Sequence, residues 1–298
     1  AITTGDGNVA IGYNAGTALT VGSSNVAVGF KAMEAEDTYG GCVAVGYMAL
    51  NSQNAAADTY NVAVGFQAGD SVTTGIHNTL MGAFAGDAIT TGDYNVAIGG
   101  YSLSTEDGDG KNVAVGYQAL KTLNAGADAY NVAMGYHAGI NVTTGTRNIL
   151  IGGNAGDALT SGVGNVAIGY DALSTEQANG YNVAVGYEAL KTLNQGSTNS
   201  LSVAIGYQAG LSMTTGQQNV IVGAAAGDAL TTGGYNVAIG TYALGAETTS
   251  GRNVAIGHQA MMSSDVTETA GDNVAVGHQA GHSLTGNDNT MVGASSGS

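Results

Sequence analysis

The sequence contains no tryptophan and no proline, and it has only three phenylalanines and one cysteine. With so few large side chains, its apolar residues, mostly Ala, Val, Ile and Leu, cannot fill one deep globular core. The single cysteine, Cys42, excludes an internal disulfide framework. No apolar run approaches the ~20 residues needed to cross a bilayer, so we expect no membrane span.

Basic residues are also scarce. The chain has 6 Lys and Arg against 22 Asp and Glu, and its formal net charge is −16. Such a charge repels nucleic acid and anionic lipid, so we expect neither as a partner.

What the chain has in abundance is glycine, 50 residues in all, and one repeated pentapeptide. "NVAIG" at Asn8–Gly12 returns with small changes until the end of the chain. The 17 copies begin at residues 8, 25, 42, 61, 78, 95, 112, 131, 148, 165, 182, 202, 219, 236, 253, 273 and 289. Most steps are 17 residues, and a longer step after every fourth copy creates a superperiod of 70 or 71 residues. We number each coil from the first residue of its pentapeptide, which is coil position one.

The repeat predicts strands rather than helices. Glycine occupies coil position five in all 17 coils, and interior glycine costs a helix about 1 kcal/mol each. The alternation at positions two to four suits a strand in which the side chain at position three points to one face and those at positions two and four point to the other. We therefore predict an all-β fold, a parallel β-solenoid (β-roll or β-helix) of 17 coils, forming a single repeat domain over 1–298 with no capping segments.

Two further columns support this prediction. Position one is Asn in all coils except those of Cys42 and Ser202, and stacked amides can bond to one another and to the backbone. Position six is Tyr or Phe in nine coils, which predicts an aromatic ladder. Where position three becomes large, position six becomes small, as in Leu80 with Ala83, so we expect these two positions to compete for one space.

The pentapeptide also resembles a known repeat. Ser202–Gly206, "SVAIG", resembles the "NSVAIG" head repeat of trimeric autotransporter adhesins, and Asn112–Leu120, "NVAVGYQAL", is similar to repeats of phage tail-fibre and bacterial surface-fibre proteins. The resemblance implies a left-handed β-roll, an extracellular fibre or adhesin on a cell or virion surface, and no catalysis.

Few residues point to chemistry, so we expect neither an enzyme nor a bound cofactor. His258 and His278 replace the aromatic of position six in adjacent coils and His282 follows, which makes these three the candidate metal ligands; the alternative is that the rings continue the ladder. Cys42 occupies an Asn position, which favours a small buried substitution over a nucleophile. A column of acidic residues is interpreted as solvated turn carboxylates, with weak calcium binding as the alternative. Its members are Asp70, Asp87, Asp157 and Asp228.

The ends of the sequence match in phase. Ala1 stands at coil position eleven and Ser298 at position ten, so the two partial coils add up to one coil of 17 residues. We therefore predict a structural subunit of an extracellular filament, assembled from copies of the chain head to tail through open ends; the alternative is an excerpt from a longer array. The predicted assembly residues are Ala1, Ile2, Thr3, Thr4, Gly5, Gly293, Ala294, Ser295, Ser296, Gly297 and Ser298.

Two other functions remain open. A trimeric shaft of a tail fibre or surface adhesin would bury the small column of position three, such as Ala97, Ala114 and Ala133, between chains. A solenoid that binds a glycan receptor or ice would need a flat exposed array, and adjacent Thr residues point to opposite strand faces.

Overall fold

The computed structural model describes residues 4–35, 38, 40–108, 110–196, 199–264 and 271–297. The fold is an all-β parallel solenoid with 17 strands, and the predicted fold class and repeat period are confirmed. In the part of the chain described, no helix is long and apolar enough to span a bilayer. The hand of the coil stays a prediction of the resemblance.

The strands belong to two compact units, Ala1–Arg147 and Asn148–Ser298. The first unit contains β1 Val9–Ile11, β2 Val26–Val28, β3 Val43–Val45, β4 Val62–Val64, β5 Thr79–Met81, β6 Val96–Ile98, β7 Val113–Val115 and β8 Val132–Met134. The second contains β9 Ile149–Ile151, β10 Val166–Ile168, β11 Val183–Val185, β12 Val203–Ile205, β13 Val220–Val222, β14 Val237–Ile239, β15 Val254–Ile256, β16 Val274–Val276 and β17 Thr290–Val292. Each strand covers coil positions two to four.

Within each unit, neighbouring strands pair in parallel with like positions side by side. Ala97 lies opposite Ala114, for example, and the Val96 N–H donates to the Asn112 carbonyl at 2.8 Å. The Gly116 N–H returns a bond to the Ile98 carbonyl at 2.7 Å. Positions two and four thus bond to the following coil, while positions one, three and five bond to the preceding one.

The column at position three forms the inside of the coils. Ala97, Ala114 and Ala133 are completely buried within their own chain. The prediction that a trimer would bury this column between chains is therefore wrong, because no part of these side chains reaches the surface. Positions two and four carry the side chains that point outwards.

The predicted competition between positions three and six is also wrong, because the two lie on opposite sides of the backbone. Leu80 is completely buried, whereas Ala83 is exposed. The Leu80 side chain instead fills space left by glycine at position nine. A Cβ on Gly69 or Gly86 would lie 2.6 or 2.7 Å from its methyl carbons. In eight of the 13 coils with Ala at position three, Leu or Met at position nine fills the interior, as Leu120 does.

In the first unit, the two coils with a small residue at position six carry an aromatic ring at position seven instead. In the coils of Ala83 and Gly100, the rings of Phe84 and Tyr101 stack on each other at 4.9 Å. The aromatic column of the first unit therefore shifts by one position in these two coils.

A buried glutamate marks one coil in each superperiod. Glu106, Glu176 and Glu247 stand at position twelve and are at most 2% exposed. Glu176 Oε1 accepts the backbone N–H groups of residues 177, 178 and 179 at 2.9 to 3.2 Å. Glu247 binds the next three N–H groups of its own loop in the same way. These bonds fix the loop and satisfy the Oε1 atom of each side chain.

The glycine column at position five is required by the backbone. All 17 glycines have φ between 124° and 147°, a range that side chains rarely adopt. A Cβ on Gly116 would also lie 2.3 Å from the carbonyl oxygen of Gly135, the equivalent glycine of the next coil. Both the conformation and the close approach of the coils exclude a side chain.

We predict that Gly116→Ala lowers the free energy of unfolding by several kcal/mol, since backbone strain of about 1–3 kcal/mol adds to a steric overlap that only separation of the coils relieves. Gly100→Ala is the matched control, because its φ is not positive and its nearest neighbour, a carbon of the Tyr117 ring, is 3.4 Å away. Chemical denaturation of both variants measures the difference. Equal stability of the two would show that the column is dispensable.

Candidate functional site

Each unit carries an apolar surface along its strands. We call it the outer apolar face, and it consists of the side chains at positions two and four of the strands together with the rings at position six. Every residue at positions two and four is Val, Ile or Met, apart from Thr79 and Thr290. These positions carry no charge in any of the 17 coils. Many of the side chains are substantially exposed, as are Met134 at 43% and Ile205 at 41%.

The rings extend this face as a ladder. In the first unit Tyr13, Phe30, Tyr47 and Phe66 stack at centroid distances of 4.9 to 5.4 Å. In the second unit Tyr187 stacks on Tyr207 at 5.4 Å. The predicted aromatic ladder is confirmed, but its rings lie on the surface, where Tyr13 is 68% exposed.

The size of the face in one unit is that of the largest apolar patch on a typical monomer, and such patches are often functional. Eight strands spaced ~4.8 Å apart make it roughly 35–40 Å long in the first unit, and two side-chain columns plus the rings give an area on the order of 400 Å². Contiguous apolar patches on monomers rarely exceed a few hundred Å². The face therefore has the character of an interaction surface.

The outer edges of β1 and β17, one in each unit, are two further candidate surfaces. In the hydrogen-bond pattern of the strands, the backbone groups of Ala10 and the N–H of Gly12 point away from β2. Those of Thr290 and Val292 point away from β16. Within the described residues, no strand pairs with either edge.

Of the predicted assembly residues, Thr4, Gly5 and the stretch 293–297 are described. The N–H groups of Thr4 and Gly5 donate to the Thr20 carbonyl, and the N–H of Gly293 donates to the Val276 carbonyl. The Ser295 N–H donates to the His278 carbonyl in the same way. Ala294 and Gly297 belong to the turn that contains Ser295. Ser296 closes the turn by donating to Gly293. Ala1, Ile2, Thr3 and Ser298 lie outside the described residues.

The histidines continue the ladder. The rings of His258 and His278 stack at 5.2 Å with an interplanar angle of 12°. Ring nitrogen lone pairs lie in the ring plane, so two parallel rings do not converge on one ion between them. His282 contacts Ser283 Oγ at 3.1 Å through Nδ1. Among the described residues, no group of three or more His, Cys, Asp or Glu side chains could hold a metal ion.

Cys42 is buried inside its coil. Its Sγ lies 2.8 Å from Thr59 Oγ1 and 3.0 Å from Gln53 Nε2, and its N–H donates to Asn25 Oδ1. It occupies the position of the missing asparagine, as the sequence predicts for a small buried substitution.

The acidic column is half-buried rather than fully solvated. Burial raises the pKa of the Asp87 carboxyl to about 6, and the nearby charge of Asp70 contributes. Burial also raises the pKa of the Asp70 carboxyl, whereas a hydrogen bond from Gln67 acts to lower it. These carboxylates therefore oppose folding when they are charged.

We predict that the solenoid becomes more stable as the pH falls from 7.5 to 4.5. A carboxyl whose pKa is higher in the folded than in the unfolded state stabilises the fold below its unfolded pKa, near 3.8, and that contribution is lost as the pH rises through about 6. Thermal unfolding across this range should show the melting temperature rising on acidification. Asp87→Asn should flatten the profile and Asp6→Asn, at an exposed carboxylate, should not; a profile unchanged by Asp87→Asn would contradict the assignment.

A second stacked column was not predicted. The residue before the asparagine is exposed in most coils, and Tyr60, His77 and Tyr94 stack there at 5.1 to 5.3 Å. Its signal in the sequence is the recurrence of Tyr directly before Asn, as in Tyr130 and Tyr181.

In comparisons with known proteins, the chain matches no protein-family model, no curated protein and no solved structure.

Proposed function

We propose that this chain is a non-catalytic structural subunit of an extracellular fibre. The observation that carries the proposal is the outer apolar face, which repeats without a charge in all 17 coils. A surface of this kind is suited to association along its whole length rather than to chemistry at one point. The resemblance to adhesin and tail-fibre repeats supports a place on a cell or virion surface.

Chains of the fibre associate side by side through this face. Two copies would bury roughly 800 Å² in total at the face of each unit, which is the size of a small protein interface. The β-branched columns present regular ridges ~4.8 Å apart, and the absence of charge avoids the cost of burying unpaired ions. This surface replaces the alanine column as the contact of a laterally associated shaft, whether dimeric or trimeric.

We predict that Ile98→Lys combined with Ile205→Lys, one charge on the face of each unit, converts the associated protein into monomers. Burying two unpaired ammonium groups costs more than the interface gains. Thr91→Lys combined with Ser161→Lys is the control, because both residues are exposed outside the outer apolar face. Sedimentation velocity gives the masses; if the first variant sediments as the unchanged protein does, the face is not the contact.

End-to-end association is the second candidate, favoured by the complementarity of the two edges. The outward groups of β17 belong to positions two and four, and those of β1 to positions one, three and five. These are the two sets that bond between consecutive coils inside each unit. A second copy placed on β17 in register would pair every one of them, and such a heterologous contact produces an open filament.

We predict that a chain of this sequence forms filaments and that Thr290→Pro stops their growth without unfolding the solenoid, because proline removes an outward N–H donor that no described residue uses. Thr285→Ala, at an exposed loop residue near the same edge, is the control. Electron microscopy of negatively stained samples measures filament length. Filaments of normal length from Thr290→Pro, and from the chain with a folded domain fused before Ala1, would leave lateral association as the mode of assembly.

A further inference from the structure

An open cleft of about 330 Å³ lies on the surface of the second unit. Its lining residues come from four successive coils and stand near the end of each coil, so the cleft is separate from the outer apolar face. Its lining includes Thr215, Thr232, Thr249, Gln217, Tyr235 and Arg252.

Glycines two residues before the next pentapeptide create the cleft. Gly234 and Gly251 stand at position sixteen, and Gly271 takes the equivalent place in the following, longer coil, so no side chain fills the space above Gln217. A Cβ on Gly234 would lie 3.0 Å from the Gln217 carbonyl oxygen and 3.4 Å from its nitrogen. The missing side chain would thus cover the Gln217 N–H group.

Other coils show which side chains bind the backbone N–H group at the position of Gln217. The Ile76 N–H donates to Asp93 Oδ1 at 2.8 Å, and the Asp6 N–H donates to Ser23 Oγ at 3.1 Å. Each acceptor is the position-sixteen side chain of the next coil. In the cleft, glycine supplies no such oxygen, and no acceptor for the N–H of Gln217 or Gly234 occurs among the described residues. The cleft therefore presents two backbone donors, one in each of two successive coils.

The walls complement these donors with hydroxyl groups and one aromatic ring. Thr215, Thr232 and Thr249 are exposed and follow one another at the spacing of the coils. Tyr235 is 57% exposed, and in the described part of the chain its ring stacks on no other ring. The wall at Thr249 is rigid, because its N–H donates to the buried Glu247 carboxylate.

The local charge favours an uncharged ligand. The guanidinium of Arg252 donates to both carboxylate oxygens of Asp272, at 2.7 and 2.9 Å, so its charge is already balanced. The chain as a whole carries a net charge of −16. A polyanion would be repelled, whereas groups that both donate and accept hydrogen bonds match the N–H and hydroxyl groups of the walls.

We propose that this cleft binds a neutral linear oligosaccharide. Sugar hydroxyl oxygens accept the N–H groups of Gln217 and Gly234, the threonine hydroxyls bond to neighbouring sugar hydroxyls, and Tyr235 packs against a sugar ring. The placement of one donor in each of two successive coils selects an extended sugar chain that follows the stack. The site does not depend on how copies of the chain assemble.

The test is saturation-transfer NMR on the full chain with cellohexaose, chitohexaose and maltohexaose as probes and a galacturonic acid oligomer as the acidic comparison. At least one neutral probe should give a signal at millimolar concentration, and the acidic probe should give none. Gly234→Asp introduces into the cleft a carboxylate oxygen equivalent to that of Asp93. Gly234→Ser introduces a hydroxyl oxygen equivalent to that of Ser23. Both should weaken binding tenfold or more while the unfolding temperature is maintained.

Val163→Asp is the matched control, at the same coil position but outside the cleft, and should bind as the unchanged chain does. Tyr235→Ala should also weaken binding tenfold, because it removes the ring. The proposal is overturned if none of the neutral probes binds, if only the acidic oligomer binds, or if folded Gly234→Asp and Gly234→Ser retain full affinity.

Discussion

The asparagine ladder is the interaction on which the other columns depend. Asn61 Nδ2 donates to the Gly75 carbonyl of its own coil at 2.7 Å and so closes that coil, while its Oδ1 accepts the N–H of Asn78 in the next coil at 2.8 Å. The amide is fully buried, and both of its ends are bonded. Ser202 keeps half of this function, because its Oγ accepts the Asn219 N–H. Closing each coil and linking it to the next with one side chain forces the coils into register, and every other column follows from that register.

Holding the coils in register requires an unfavourable backbone conformation at three positions of every coil. Positions seven and nine and the residue before each asparagine have positive φ in every coil, as in Gln118, Leu120 and Tyr130 at 58°, 48° and 53°. A residue with a side chain loses about 1–2 kcal/mol in this region. These corners turn the chain sharply enough to return it to the same sheet within one short coil. The cost is tolerated because neighbouring coils hold each corner through backbone bonds, such as the one from the Gln118 N–H to the Gly100 carbonyl.

The strands, the glycine column and the asparagine ladder were predictable because each rests on one residue type at a fixed spacing. The left-handed corners also had a signal, since none of these positions carries Val, Ile or Thr in any coil, and β-branched residues are the ones that positive φ excludes. The orientation of positions three and six was not predictable from volumes alone, because Leu80 covaries with both Ala83 and Gly86 and only the structure shows which one it contacts. The burial of Glu176 was unpredictable for a similar reason: a charged residue in a polar loop gives no sign that its own backbone surrounds it.

Stacking alone does not explain the composition of the outer apolar face. A parallel strand requires β-branched side chains on its outer face, and threonine meets that requirement as well as valine while also suiting water. The outward positions elsewhere in the coil are mostly polar, as in Thr91, Lys111 and Asp128, so the fold tolerates polar columns on its surface. Threonine nevertheless replaces Val, Ile or Met at positions two and four only at Thr79 and Thr290. The requirement that distinguishes valine from threonine is burial, and because the chain's own coils cover this face only in part, the apolar composition is what the proposed contact with another chain would explain.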